Sequence, residues 1–181
     1  MQTITREYGF DCGHRVMNEM FKCFNAHGHR YQIQLTYKFE SIQEIGYAID
    51  FKEIKRVGCQ WIDDLMDHGF IVNPLDIDLI KVLEKLGSKT YTMSLNDKEY
   101  CNPSVENVAR EIFLAQEILF EKYKGLEIHH IRLYETPNCF TDVTHQSIPR
   151  IERNNFRENN FDDVKGYAIE KGIVEYDDRN I

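Results

Sequence analysis

The segment from His27 to Phe39 leaves this chain the least conformational freedom. In HGHRYQIQLTYKF the side chains of His27, His29, Tyr31, Ile33, Leu35, Tyr37 and Phe39 share one face, and Gln32, Gln34, Thr36 and Lys38 take the other. A strict period of two marks a half-buried strand. The opening segment alternates in the same way around Phe10, Cys12, His14 and Val16. With a break at Asn18–Asn25 between them, the chain reads as two long antiparallel strands joined by a long loop.

The period then changes. From Asp50 to His68, Phe51, Ile54, Val57, Trp61, Ile62 and Leu65 recur at three and four, an amphipathic helix with Asp50 as N-cap and Glu53 at capping-box spacing. A shorter helix is predicted over Asp76–Leu86, stopped at Gly87, followed by a β-prone stretch at Lys89–Leu95. Pro103–Tyr123 reads as a third helix, capped by Ser104 and ended at Gly125, and His129–Tyr134 as a strand returning to the sheet. The order ββ, α, α, β, α, β gives an α+β fold with helices on one face of an antiparallel sheet. From about Gln146 the aliphatic content falls and NNF occurs twice in IERNNFRENNF, which reads as a linker or extended arm. The closing stretch from Val164 could form a short element packed on the body or on a neighbouring subunit.

At 181 residues the chain has the size of one domain. Its 30 acidic against 22 basic residues, net charge −8, disfavour a nucleic-acid partner, because phosphate neutralisation needs clustered Lys and Arg. No stretch has the apolar length of a membrane span, and the N-terminus lacks the pattern of a signal peptide. Five cysteines, an odd number at irregular spacing, fit a reducing cytoplasm better than a disulfide framework.

The strongest chemical signal is His14 with His27 and His29. Residues two apart on a strand point the same way, and His14 lies on the neighbouring strand, so three imidazoles can converge as in a catalytic zinc site with an open fourth position. Read alone, the HxH pair is equally two polar residues on an exposed face. Cys23, four residues before His27, is a candidate base or nucleophile, a fourth metal ligand, or a small buried hydrophobe. Asp67 beside His68 can orient an imidazole, or merely place a cation at a helix end. Glu106 falls in a first helical turn, where a carboxylate is ordinarily good electrostatics. Glu135 ends a strand, where a buried charge needs a partner such as the paired N–H donors of a heterocycle.

Taken in order, H14, C23-FNA-H27-G-H29, Y47-AIDF, L65-MDHGF, N102-PSVENVA and Y134-ETP resemble the 6-pyruvoyl-tetrahydropterin synthase and 6-carboxy-tetrahydropterin synthase (QueD) family over roughly Thr3–Val143. The CxxxHGH spacing resembles the carboxy branch. The resemblance implies a T-fold, a four-stranded antiparallel sheet with helices on one face, built into a barrel by a homo-oligomer, a hexamer or tetramer. It implies a synthase domain at 1–145 with a C-terminal extension or arm at 146–181. It implies Zn2+ on His14, His27 and His29, Cys23 as catalytic base, Asp67 and His68 as its relay, Glu135 as the pterin anchor and Glu106 in the substrate pocket. The implied reaction converts 7,8-dihydroneopterin triphosphate to 6-carboxy-5,6,7,8-tetrahydropterin with release of acetaldehyde and triphosphate, a step of 7-deazaguanine (queuosine) biosynthesis. Alternatives are a pyruvoyl product from the same substrate, a non-catalytic pterin-binding protein, and a zinc hydrolase using a carboxylate base. Arg15, Lys22 and Arg30 flank the expected site as candidates for the triphosphate. The added helix and strand between His68 and Glu106, and the tail, have no counterpart in compact members. The tail is expected to wrap a neighbouring subunit.

Overall fold

The computed structural model describes residues 1–17, 20, 22–94 and 101–172; part of the break at Asn18–Asn25, Leu95 at the end of the β-prone stretch, and 173–181 of the closing segment lie outside them. Strands β1 (Gln2–His14) and β2 (His27–Phe39) pair antiparallel along their whole length, from Gln2 opposite Phe39 to His14 opposite His27. The alternation does what it predicts: Tyr31, Ile33, Leu35 and Tyr37 are fully buried while the residues between them stay partly exposed. Val16 lies just beyond β1, where its N–H donates to the Cys23 carbonyl at 2.9 Å and closes the base of the connecting loop.

Helix α1 (Phe51–Ile54) runs through a π-helical turn (Lys55–Cys59) into α2 (Gln60–Leu65). Asp50 caps α1 by accepting from the Lys52 N–H at 2.8 Å, and Glu53 faces Arg56 instead of closing a capping box. Strand β3 (Gly69–Val72) follows, then α3 (Ile77–Leu86), capped by Asp76 and ended by Gly87 in the left-handed region at φ 68°. Then come β4 (Thr90–Thr92), α4 (Val105–Leu119) with Ser104 as N-cap, β5 (Leu126–Thr136) and β6 (Cys139–Thr144).

The expected four-stranded antiparallel sheet is corrected to a six-stranded mixed sheet in the order β4-β3-β1-β2-β5-β6. Strands β1, β2, β5 and β6 are mutually antiparallel, whereas β3 and β4 add parallel to the free edge of β1. Two of these strands escape a periodicity search: β3 is a short apolar run without alternation, and β6 is mostly exposed. Helix α4 packs on β5 and β6, and its buried face (Val108, Ile112, Ala115, Leu119) joins the β2 core residues in one hydrophobic cluster.

The tail also departs from expectation. Residues Arg150–Glu170 form a single helix, α5, packed on α4 of the same chain. Phe156, Val164 and Ala168 are buried, the pair Arg110–Glu152 joins the two helices, and Arg157 pairs with Glu121 in the turn just beyond α4. At its far end Tyr167 and Lys171 both reach Asp64 of α2 at 2.8 Å. Among the described residues no helix is long and apolar enough to cross a membrane.

Candidate metal and substrate site

The antiparallel register of β1 and β2 puts His14 directly opposite His27, with His29 one step along the same face. The candidate ligand atoms of the three side chains lie within 4.8 Å of one another. His14 is almost fully buried, and His27 and His29 are partly so.

Two backbone carbonyls set the tautomers. His14 Nδ1 donates to the Pro103 carbonyl at 2.7 Å and His27 Nδ1 to the Asn25 carbonyl at 2.6 Å. A carbonyl can only accept, so both rings carry a proton on Nδ1, which leaves Nε2 as the atom able to take a metal. The two Nε2 atoms lie 3.2 Å apart. Nitrogens bound tetrahedrally at about 2.0–2.1 Å stand about 3.3 Å apart, so the pair fits a zinc-sized ion. Burial pushes the His14 pKa down to about 4 and lowers that of His29 too, which keeps both as neutral ligands at neutral pH.

Glu135, from the end of β5, reaches the same point: its Oε1 lies 3.6 Å from His14 Nε2 and 3.8 Å from His29 Nε2. Cys23 sits half-buried in a 3-10 turn (Lys22–Phe24) of the loop between β1 and β2. Burial, with the nearby Glu135 carboxylate adding to it, raises the Tyr31 pKa.

Asp67 and His68 form a bonded pair, His68 Nδ1 to Asp67 Oδ2 at 2.6 Å, in the tight turn between α2 and β3. Burial pushes the Asp67 carboxyl up, but hydrogen bonds from the Asp11 N–H and from His68 outweigh it and hold the carboxyl below the ordinary range. His68 adopts φ 56°, a strained setting for a side chain other than glycine, fixed by its N–H donating to the Asp11 carbonyl at 2.7 Å. His68 lines one open groove with His27, His29, Arg30 and Phe70. Glu106 is exposed on the first turn of α4 and has no described contact with the histidines.

Of the basic candidates, Arg15 is committed to buried Asp76, with Nε to Oδ2 at 2.6 Å, and lies over the Phe24 ring at 5.2 Å. Arg30 pairs with Asp11. Lys22 remains exposed.

One contributor gave no chemical signal in the sequence beyond its place in NPSVEN. Asn102 accepts the Met17 N–H at 2.7 Å, donates to the Met17 carbonyl at 3.0 Å, and accepts from buried Asn73 at 3.2 Å. It thereby pins the start of the Cys23 loop to the lead-in of α4, where Pro103 meets His14.

A sequence model of the family described as 6-pyruvoyl tetrahydropterin synthase matches residues 3–146. The chain is 36% identical over 143 residues, 77% of its length and 97% of the other, to a 6-carboxy-5,6,7,8-tetrahydropterin synthase of Rickettsia bellii. It is 32% identical over 148 residues, 78% and 98%, to the protein of the same name from Haemophilus influenzae. Its fold matches the solved 6-pyruvoyl tetrahydropterin synthase of Plasmodium falciparum with a TM-score of 0.54 at 19% identity, over 78% of this chain and 96% of that one.

Proposed function

Because the chain belongs to the 6-pyruvoyl tetrahydropterin synthase family, we propose that it is a lyase acting on 7,8-dihydroneopterin triphosphate, forming 6-carboxy-5,6,7,8-tetrahydropterin with release of acetaldehyde and triphosphate in 7-deazaguanine biosynthesis. The observation that carries this reading is the convergence of three imidazoles and one carboxylate, His14, His27, His29 and Glu135, at one end of the sheet.

The three histidines hold zinc, a choice supported by the nitrogen-only donor set and the 3.2 Å separation of two of its nitrogens. When bound, the ion supplies Lewis acidity to the side-chain oxygens of the substrate. Cys23, as thiolate, takes the proton from the adjacent carbon. His68, held by Asp67, passes protons in the later steps. Glu135 accepts the 2-amino and N3 hydrogens of the pterin and so fixes the side chain beside the histidines, with Glu106 in the same pocket.

The working form is a homo-oligomer, a tetramer or hexamer: the side chain of His68 is 77% exposed and the groove it lines is open, so a neighbouring copy is needed to enclose the substrate. Residues 1–145 constitute the synthase domain and 146–181 a C-terminal extension, a division supported by the family match ending at residue 146. The five free cysteines suit a cytoplasmic enzyme.

Incubating the zinc-loaded protein with 7,8-dihydroneopterin triphosphate and analysing the products tests the reading. Acetaldehyde together with the carboxylated pterin supports it. A pyruvoyl pterin without acetaldehyde rejects it in favour of the other branch.

A further inference from the structure

The turn that carries Asp67 and His68 is held from two sides. From β1, the Asp11 N–H donates to Asp67 Oδ1 and the Asp11 carbonyl accepts the His68 N–H, each at 2.7 Å. From the other side comes Lys89, in the link between α3 and β4, 22 positions along the chain from Asp67. Its ammonium donates to the Asp67 carbonyl at 2.6 Å and to the Asp63 carbonyl at 3.0 Å. Its main chain is fixed by the Phe70 N–H, which donates to the Lys89 carbonyl at 3.0 Å. Its stem lies close along β3: a Cβ at Gly69 would come 3.1 Å from Lys89 Cδ and 3.0 Å from the Lys89 carbonyl oxygen.

A lysine exposed to solvent ordinarily keeps its side chain mobile, and fixing it costs entropy. Here the ammonium takes two carbonyls at and just beyond the C-terminal end of α2, where a helix leaves its last acceptors unpaired and favours a cation. The same contact bears on the site. His68 sits at φ 56°, a conformation that a side chain other than glycine keeps only where its surroundings enforce it. Its side chain is 77% exposed, so packing does not place the imidazole; the turn and the bond to Asp67 do. Without the ammonium, the Asp67 carbonyl loses that partner and the turn keeps the Asp11 clamp alone.

We propose that Lys89 is a positioning residue for the reaction: its ammonium, bonded to the Asp63 and Asp67 carbonyls, holds the Asp67–His68 turn in the conformation that presents His68 to the substrate. Lys89 acts through His68 and touches no reacting atom. The inference rests on the lyase reading above.

Turnover of 7,8-dihydroneopterin triphosphate by the full-length, zinc-loaded protein is compared for Lys89→Met and Lys89→Arg, each in the wild-type and His68→Ala backgrounds. Methionine keeps most of the stem beside Gly69 and removes the ammonium, whereas arginine keeps a cation with donors for both carbonyls. Lys89→Met is expected to lower kcat about 10-fold or more with KM and zinc per chain unchanged, because a misplaced catalytic group loses rate and not affinity. Lys89→Arg is expected to stay within about 3-fold of wild type. In the His68→Ala background, Lys89→Met is expected to change kcat by less than about 2-fold, since a residue acting through His68 has nothing left to position. Amide exchange read by mass spectrometry, without substrate, is expected to become about 10-fold faster in peptides covering Asp67–Gly69 and to stay the same in α4. Wild-type turnover in Lys89→Met overturns the proposal. So does a Lys89→Arg enzyme as slow as Lys89→Met, or an equal fold loss in both backgrounds, which would mark a general effect on the fold. If the wild type leaves the triphosphate unconverted, the lyase reading fails by itself; faster exchange confined to the turn then supports the clamp, and unchanged exchange overturns it too.

Discussion

Cys23 and His27 lie four residues apart in the sequence, yet their removal has separable consequences. His27 Nε2 lies 3.2 Å from His14 Nε2, so His27→Ala removes one of the three proposed ligands, and elemental analysis is expected to find zinc far below the one ion per chain proposed for the wild type. Cys23 lies outside the histidine cluster, so Cys23→Ala keeps its zinc while turnover drops about 100-fold or more, the ordinary contribution of a positioned base. A Cys23→Ala enzyme as fast as wild type would remove the thiol from the mechanism. Two other residues near the site, His14 and Asp67, impose a pH dependence on the metal-free protein. His14 has its pKa pushed down from 6.5 to about 4 by burial, so in that window the unfolded chain binds a proton that the folded chain refuses. Asp67 is depressed as well, burial being outweighed by its hydrogen bonds, and its contribution is lost as pH falls below the ordinary carboxylate value. Both have one sign. Melting temperatures of the metal-free protein are expected to hold above about pH 6.5 and to fall steadily towards pH 4; a flat profile would contradict the burial of a neutral His14.

At the scale of elements, the π-helical turn between α1 and α2 is built around a close approach. A Cβ at Gly58 would come 2.5 Å from Gln116 Oε1 and 3.0 Å from the Tyr37 hydroxyl. Gln116 accepts from Tyr37 at 2.8 Å and donates to the Gly58 carbonyl at 3.2 Å, satisfying a carbonyl that the widened turn frees. Gly58→Ala therefore overpacks this contact and is expected to cost about 1–3 kcal/mol in chemical denaturation, with metal content unchanged. Helix α5 poses a different question. Its buried positions, Glu152, Phe156, Val164 and Ala168, keep a four-residue spacing, but polar Glu152 and Asn160 fall in that row and hide the stripe. Because α5 packs on α4 of its own chain and holds Asp64, truncation after Pro149 should lower the melting temperature by about 5 °C or more while leaving the number of subunits per oligomer unchanged. Unchanged melting would mean that α5 contributes nothing to the fold, and a smaller oligomer would favour a role between subunits.

For the whole molecule, the arrangement of the site predicts assembly. Three histidines and Glu135 gather at one end of the sheet, while His68 projects into an open groove. Light scattering after size exclusion is expected to give four or six times the mass of one chain; a monomer as active as any larger species would refute the proposed need for neighbouring copies. What could be read from the residues in order depends on near neighbours along the chain. Alternation fixed the β1–β2 pair and the shared face of His14, His27 and His29, since a pleated strand repeats every two residues whatever its surroundings. Caps at Asp50 and Ser104 and the stop at Gly87 were legible for the same reason, because a cap acts within three residues. Features made by distant partners came from the packing of the folded chain. Strands β3 and β6 exist because β1 and β5 offer them a ladder, and α5 is a helix because α4 buries its broken stripe. Asn102 reaches Met17 across 85 positions, and Glu135 comes to His14 from the far end of the core. Such contacts are fixed by how faces pack in three dimensions, and local spacing carries no record of them.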